Sequence, residues 1–156
     1  MVKPFPNIDD QTAALRRDFP SFVLLKREGN VAAWRGDVKP LMRTYTIVIT
    51  YRMPLVVERL DLLSTQPRVR VVRPQLLIRP GDPEGDLPHV YWLSPTDPIL
   101  CLFDPETSEW TPHDLLSKTT VPYAIDWLAC YEGWRATGSW TGGGRHAQLL
   151  QSGARQ

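Results

Sequence analysis

The chain has 156 residues, of which 42% are hydrophobic and 22% are charged. This length suits one domain with a substantial hydrophobic core, and the composition excludes global disorder. No uncharged apolar run reaches the roughly 18 residues of a membrane-spanning helix, and residues 1–20 lack the apolar stretch of a signal peptide. We therefore expect a non-secreted, cytoplasmic protein that does not act in a membrane and keeps its two cysteines as thiols.

The net charge of +1 conceals an uneven distribution along the sequence. Residues 1–79 carry 14 basic and 7 acidic residues, whereas residues 80–134 carry 1 basic and 10 acidic residues. This polarity has two interpretations. It contributes to solubility, which is the favoured interpretation, or it provides a face that docks an acidic partner surface.

Four arginines lie in or just after the region of the fourth predicted strand: Arg68, Arg70, Arg73 and Arg79. A basic cluster of this kind is compatible with binding to nucleic acid or to a protein partner. A solvated strand face is the favoured interpretation, because exposed arginines are common on such faces and the net charge is close to zero. We therefore expect no nucleic-acid partner.

The first half of the chain predicts one helix followed by antiparallel strands. Asp9 or Asp10 can cap a helix that runs to about Asp18, before Pro20 stops it. Strand signals follow at residues 22–27, 31–35, 44–51 and either 69–73 or 76–78, with Gly29 and Asn30 forming the first hairpin turn. Arginine and valine alternate from Arg68 to Val71, which predicts a meander with one face in water.

The second half of the chain begins with a segment of different composition. Residues 80–112 are rich in Pro, Gly and Asp and contain only short apolar pieces, so we expect an irregular segment with a functional role. Residues 121–134 predict a helix with Pro122 in its first turn, and Gly138 ends regular structure. We expect a single domain over residues 1–140 and a flexible, Gly-containing tail over residues 141–156.

The two cysteines have different sequence surroundings. Cys130 lies in the predicted helix among large apolar residues, which is typical of a buried, inert thiol. Cys101 lies in the segment Ile-Leu-Cys-Leu-Phe, and local sequence alone leaves a core cysteine and a reactive cysteine equally open. A cysteine–histidine dyad with His89 or His113 also stays open, because spacing does not show proximity.

Metal and nucleotide cofactors are not expected. No pair among the cysteines and His89, His113 and His146 has the short spacing of a structural zinc site. No phosphate-binding loop pattern is present, because the triple glycine at 142–144 is followed by Arg145 and His146 instead of Lys and Ser or Thr.

Residues 88–112 carry a family resemblance. The pieces Pro-His-Val-Tyr at 88–91, Ile-Leu-Cys-Leu at 99–102 and Glu-Trp-Thr-Pro at 109–112 resemble motifs of the ubiquitin-conjugating enzymes. That family has His-Pro-Asn shortly before Ile-Cys-Leu, followed by Trp-Ser-Pro. A closer resemblance is to its bacterial branch in type II CBASS anti-phage operons, with His-Val-Tyr, Leu-Cys-Leu-Phe-Asp-Pro and, at 137–144, Thr-Gly-x-Trp-x-Gly-Gly-Gly.

The resemblance implies an α+β ubiquitin-conjugating fold. Its parts are an N-terminal helix, a four-stranded antiparallel meander, a cysteine-bearing loop segment and a C-terminal helix. It implies that Cys101 is the nucleophile, with His89 as its catalytic companion. The expected function is a thioester between Cys101 and the C-terminal tail of a cGAS-like nucleotidyltransferase, passed to a lysine to regulate anti-phage cyclic-nucleotide signalling. The alternative is a catalytically silent binding module that scaffolds the nucleotidyltransferase.

Several mechanistic points stay open at the sequence level. The oxyanion-stabilising asparagine of the eukaryotic family has no counterpart, because the only asparagines are Asn7 and Asn30. Backbone N–H groups, His89 or a partner group must then stabilise the tetrahedral intermediate. Acidic residues near Cys101 in sequence disfavour the thiolate and therefore predict a thiol of low reactivity. These residues are Asp97, Asp104, Glu106 and Glu109.

The source of activation also stays open. A single domain of this size leaves no room for an adenylating domain, so the acyl group comes from a separate activating enzyme or from direct attack on an existing amide. The second route would process the C-terminus of the donor. Either route requires the sulfur of Cys101 to be reachable by the end of another polypeptide.

Overall fold

The computed structural model describes residues 4–54, 66–83, 85–103 and 109–141. Within these ranges the fold is α+β, as the sequence predicts. Its elements, in chain order, are α1 (Ile8–Asp18), β1 (Val23–Glu28), β2 (Val31–Val38), β3 (Tyr45–Arg52), β4 (Arg68–Arg73), β5 (Val90–Ser94), β6 (Asp97–Leu100) and α2 (Thr120–Thr137).

The first four strands form one antiparallel sheet in the order β1-β2-β3-β4. This confirms the predicted meander. Gly29 and Asn30 form the turn between β1 and β2, and Gly29 takes a left-handed φ of 59° that a glycine adopts without strain. Of the two candidates for the fourth strand, the one near Val69 is correct, and residues 76–78 have no regular structure.

The register of β3 and β4 separates the two faces of the sheet. Val69 lies opposite Ile49 and both are fully buried, whereas Arg70 lies opposite Val48 on the other face. The predicted division of arginines and valines between two faces is therefore confirmed. The alternation of valine and arginine along β4 specifies this register, because a slip of one residue would bury the arginines.

Helix α1 is capped earlier in the chain than the acidic residues Asp9 and Asp10 suggested. Asn7 is the N-cap: its side-chain oxygen accepts the Asp10 N–H at 2.8 Å, and the Asp10 carboxylate accepts the Asn7 N–H at 2.9 Å. The prediction that Asp9 or Asp10 caps the helix was wrong, because Asn7 and Asp10 together satisfy two donors that would otherwise lack partners. The predicted end at Asp18 is confirmed.

The buried face of the sheet carries the core. The indole N–H of Trp34 on β2 donates to the Thr12 hydroxyl on α1 at 2.9 Å, which fixes the helix over the sheet. Gly36 lies so close to Phe22 that an added Cβ would approach its ring to 2.3 Å. From the other side of the core, the ring of Tyr131 on α2 meets Tyr45 edge-on at 6.4 Å.

The segment from 80 to 112 is more regular than predicted. Strands β5 and β6 form a two-stranded antiparallel hairpin in which Val90 lies opposite Leu100 and Tyr91 lies opposite Ile99. The expectation of an irregular segment was wrong over these residues. Each apolar piece is too short to indicate a strand by alternation alone, and each is stabilised by pairing with the other.

Helix α2 is longer than predicted, spanning Thr120–Thr137 instead of residues 121–134. It ends at Gly138, as predicted, and this glycine has a left-handed φ of 81°. In the described ranges, neither helix combines the length and the apolar character needed to cross a membrane. Residues 142–156, most of the predicted tail, lie outside the described residues, so the division into domain and tail stays a prediction.

Gln11 joins α1 to the segment that precedes α2. Its side chain is fully buried; its amide nitrogen donates to the Asp114 carbonyl at 2.9 Å, and its amide oxygen accepts the Leu116 N–H at 2.9 Å. Both backbone groups would lack this partner if the amide were removed. An uncompensated buried polar group costs about 1–3 kcal/mol.

We expect Gln11→Leu to lower the free energy of unfolding by about 2–4 kcal/mol, because a buried backbone N–H and a part-buried carbonyl lose their partners. The melting temperature should fall by about 5–15 °C, measured by thermal denaturation. Arg16→Ala, at an exposed position of the same helix, is the control and should change stability by less than about 0.5 kcal/mol. Equal effects of the two substitutions would contradict this account of Gln11.

Candidate functional site

The two predicted site residues meet through their backbones at the open end of the β5–β6 hairpin. His89 immediately precedes β5 and Cys101 immediately follows β6. The Cys101 N–H donates to the His89 carbonyl at 3.0 Å, which continues the hairpin pairing by one residue. The fold therefore brings together two residues that are 12 positions apart in the sequence.

His89 has an unusual backbone conformation. Its φ is 55°, in the left-handed region. Such a conformation costs a residue with a Cβ about 1–2 kcal/mol, so its surroundings must hold it in place. The His89 carbonyl accepts a second hydrogen bond, from the indole N–H of Trp127 at 2.8 Å. One oxygen thus accepts donors from both Cys101 and α2.

An aromatic cluster covers this end of the hairpin. Trp140 lies against the His89 imidazole with ring centroids 5.0 Å apart, and it meets Trp127 edge-on at 5.1 Å. Trp127 in turn stacks on Tyr131 at 5.8 Å with the rings nearly parallel. The sequence indicated Trp127 as part of an apolar helix face, and nothing in its periodicity distinguished a hydrogen bond to the site.

The two cysteines are both free thiols and both buried. Cys130 belongs to the hydrophobic core on α2, and Cys101 is buried between Leu100 and Leu102, which also belong to that core. The predicted burial of Cys130 is confirmed, with 6% of its surface exposed.

Cys101 exposes only 3% of its surface, which conflicts with the reachability that the sequence-based hypothesis required. Forming a thioester with another chain therefore requires the groups around this residue to move. Residues 104–108, which include Asp104 and Glu106, lie outside the described residues.

Asp97, one of the acidic residues near Cys101 in sequence, lies at the opposite end of β6 and pairs with Arg70 of β4. Arg70 binds the Asp97 carboxylate with two hydrogen bonds, from Nε at 2.8 Å and Nη2 at 3.2 Å. The hydrogen bond from Arg70 lowers the pKa of Asp97; burial opposes this shift, and the charges of Arg70 and Arg68 add to it. Local sequence does not reveal this pair, because the arginine comes from a different strand, β4.

The asparagines are engaged elsewhere. Asn7 caps α1, and the Asn30 side chain donates to the Met53 carbonyl at 2.7 Å. Neither supplies an oxyanion-stabilising amide in this arrangement. The Cys101 N–H is also already bonded to the His89 carbonyl, so it does not point a free donor at an acyl group.

The other candidates from the sequence have structural contacts. The His113 ring meets Phe5 edge-on at 4.6 Å, near the start of α1. The Arg79 guanidinium lies 5.0 Å above the Trp134 ring and donates to the Arg135 carbonyl, so it braces α2 and does not extend the arginine face of β4. Across the described part of the chain, no group of three His, Cys, Asp or Glu side chains is arranged to hold a metal ion. His146 lies outside that part.

These features define an α+β domain in which a cysteine at the end of a hairpin is held beside a histidine and an aromatic cluster on the C-terminal helix. A family model described as type II CBASS E2 protein matches residues 11–147. The chain belongs to this family, which confirms the resemblance seen in its motifs. No curated protein matches the chain.

Membership of this family associates the chain with CBASS antiviral defence and with the other proteins encoded in CBASS operons. It indicates an E2-like function, which is conjugation-type activity in general terms.

The Arg70–Asp97 pair generates a prediction about pH. We expect Arg70→Gln to raise the pKa of Asp97 towards its ordinary value of 3.8, because the hydrogen bond from Arg70 is the largest cause of the lowered pKa. Arg68→Gln should raise it less, since Arg68 acts on Asp97 through charge alone. Carbon-13 NMR titration of the Asp97 carboxyl measures both shifts, and equal shifts would refute the assigned causes.

The same pair sets the sign of a stability effect. The folded pKa of Asp97 lies below the unfolded value, so the stabilisation is complete above that value and disappears as the pH falls through the lowered pKa. Arg70→Gln should therefore remove stability at neutral pH and flatten the acid side of the stability profile. Both side chains are about one-third exposed, at 32% and 34%, so the contribution is small.

Proposed function

We propose that this protein is an acyl carrier and transferase of ubiquitin-conjugating type. Cys101 forms a thioester with the C-terminus of a cGAS-like nucleotidyltransferase and passes it to a lysine, which regulates anti-phage cyclic-nucleotide signalling. The observation that carries this proposal is the position of Cys101. It directly follows β6 at the end of a hairpin, with its N–H bonded to the His89 carbonyl, in a chain of the type II CBASS E2 family.

The chemistry has two steps. The Cys101 thiol loses its proton and the sulfur attacks the terminal carbonyl carbon of the donor, so that a C–S bond forms as the leaving group departs. A lysine amine then attacks the thioester, a C–N bond forms, the C–S bond breaks, and the amine proton leaves to a base or to solvent. The thiolate is restored for another cycle.

The leaving group depends on how the donor is activated. With a separate ATP-dependent activating enzyme, the donor carbonyl arrives bonded to an activating group; that bond breaks as the C–S bond forms, and the activating group departs. With direct attack on an amide, the leaving group is an amine that takes up a proton, and the segment after the cleaved bond is released. The second route needs no ATP and shortens the donor. A requirement for ATP and a second protein in a purified reaction separates the two routes.

His89 is the residue that we propose to stabilise the negative oxygen of the tetrahedral intermediate. It is adjacent to Cys101 through the hydrogen bond between their backbones, and neither asparagine is available. An imidazole N–H donor aimed at the developing charge would act as the missing amide does in the eukaryotic family. Backbone N–H groups and a group supplied by the partner are the alternatives. The proposed reaction takes place in the cytoplasm and uses neither cofactor nor nucleic acid.

We expect Cys101→Ala to abolish adducts with the co-expressed nucleotidyltransferase, because no sulfur remains to carry the acyl group. Cys101→Ser and Cys101→Lys should trap the donor as an ester and an amide that resist thiol reduction. Cys130→Ala is the matched control, since it removes the other buried thiol, which lies on α2. Electrophoresis without reducing agent measures the adduct, and its persistence in Cys101→Ala would exclude this function.

A second candidate function follows from the burial of Cys101. A residue with 3% of its surface exposed also suits a conjugating-fold module that binds the nucleotidyltransferase without chemistry. Such a scaffold would keep its partner affinity, and its protection against phage, in the Cys101→Ala variant. Loss of protection with unchanged affinity would instead assign the sulfur a chemical role.

A further inference from the structure

We propose that Trp127 is a positioning residue: its indole N–H holds the backbone of His89 in the conformation that sets the place of Cys101. Its effect on acyl transfer rests on the function proposed above. The geometric part of the inference stands without that function, because it concerns a hydrogen bond and two backbone segments. Trp127 lies on α2, far in sequence from both of the residues that it positions.

The His89 carbonyl is the centre of this arrangement. It accepts the Trp127 indole N–H at 2.8 Å and the Cys101 N–H at 3.0 Å. The direction of a carbonyl depends on the backbone dihedrals of its own residue, and φ of His89 is 55°. A hydrogen bond to this oxygen therefore opposes the tendency of a non-glycine residue to leave the left-handed region.

The contact is specific to one tryptophan of α2. Trp134 lies further along α2 and is fully buried, yet its indole nitrogen has no hydrogen-bond partner among the described residues. Trp134 contacts the rings of Tyr131 and Trp140 at 6.1 and 6.4 Å, so an indole is buried in the aromatic cluster without a bond from its nitrogen. Trp127 combines the packing role, by stacking on Tyr131, with a bond to the hairpin.

Losing the indole donor should affect Cys101 through the shared oxygen. When the His89 carbonyl turns, the acceptor of the Cys101 N–H turns with it, and the residue that carries the sulfur shifts. Acyl transfer depends strongly on such placement, since a misplacement of about 1 Å can cost on the order of a hundredfold in rate. His89 moves as well, so both residues of the proposed site depend on Trp127.

The experiment compares Trp127→Phe with Trp134→Phe. Both substitutions keep an aromatic ring in the cluster, but only the first removes a hydrogen bond to the hairpin. NMR hydrogen exchange of the Cys101 amide, measured under conditions of equal global stability, should be about tenfold faster in Trp127→Phe and unchanged in Trp134→Phe. Equal exchange in the two variants overturns the inference.

A second-site change tests whether the backbone of His89 transmits the effect. Glycine adopts a left-handed φ without strain. In a His89→Gly background, Trp127→Phe should therefore accelerate exchange of the Cys101 amide by clearly less than the factor seen in the native background. An undiminished effect would show that Trp127 acts by packing alone and would refute positioning through His89.

The transfer readout separates this inference from the proposed function. Trp127→Phe should slow adduct formation with the nucleotidyltransferase by about tenfold or more, and Trp134→Phe should not. If the native protein forms no adduct, the proposed function fails while amide exchange still decides the geometry. If exchange rises but adduct formation does not slow, Trp127 does not position the reaction.

The hydrogen bond can also be tested in the native protein, without any variant that has to fold. Scalar coupling across the hydrogen bond should connect Trp127 Nε1 with the carbonyl carbon of His89. Detection of the coupling supports the bond, and its absence while the indole proton is sharp and slowly exchanging overturns it.

Discussion

The carbonyl oxygen of His89 is the point on which the candidate site depends. It receives the backbone N–H of Cys101 and the indole N–H of Trp127, so it joins the two ends of the β5–β6 hairpin to α2. His89 holds a left-handed φ of 55°, which is costly for a residue with a side chain. Two hydrogen bonds to one oxygen offset this cost and fix where the chain leaves β6.

The rest of the fold supports this arrangement from two sides. Arg70 on β4 binds Asp97 at the start of β6 and ties the hairpin to the sheet. On α2, aromatic contacts connect Trp127 with Tyr131 and Trp140, and Trp140 covers the His89 ring. Cys101 consequently follows a hairpin that is bonded to both β4 and α2, and it is buried, with 3% of its surface exposed. Carriage of an acyl group requires the donor to displace what covers the sulfur.

The sequence predicted the regular parts of the fold well. Alternation of valine and arginine in β4 and the Gly29 turn each depend on neighbouring residues, and both are confirmed. The hairpin was missed because its strands are short and each is stabilised by pairing with the other. The N-cap was misassigned because several short polar residues precede α1 and only the bonding of Asn7 with Asp10 distinguishes them.

The contacts around the candidate site could not be predicted from the sequence, and the catalytic roles of its residues stay predictions. Motifs indicated Cys101 and His89, yet no local pattern shows that Trp127 bonds to the His89 carbonyl or that Arg70 pairs with Asp97. Both contacts join elements that are distant along the chain, and they depend on how the sheet, hairpin and helix pack. Burial of Cys101 belongs to the same category, because local sequence left a core position and a reactive position equally open.

The central claim is that the sulfur of Cys101 carries the end of another polypeptide. Its most direct test is intact-mass and peptide-mapping spectrometry of the native protein purified, without reducing agent, after co-expression with the nucleotidyltransferase. The account predicts an added mass equal to the donor, mapped to Cys101 and absent from Cys130, which hydroxylamine removes. Unmodified Cys101 in a sample where the two proteins are bound to each other would contradict it and leave a binding module.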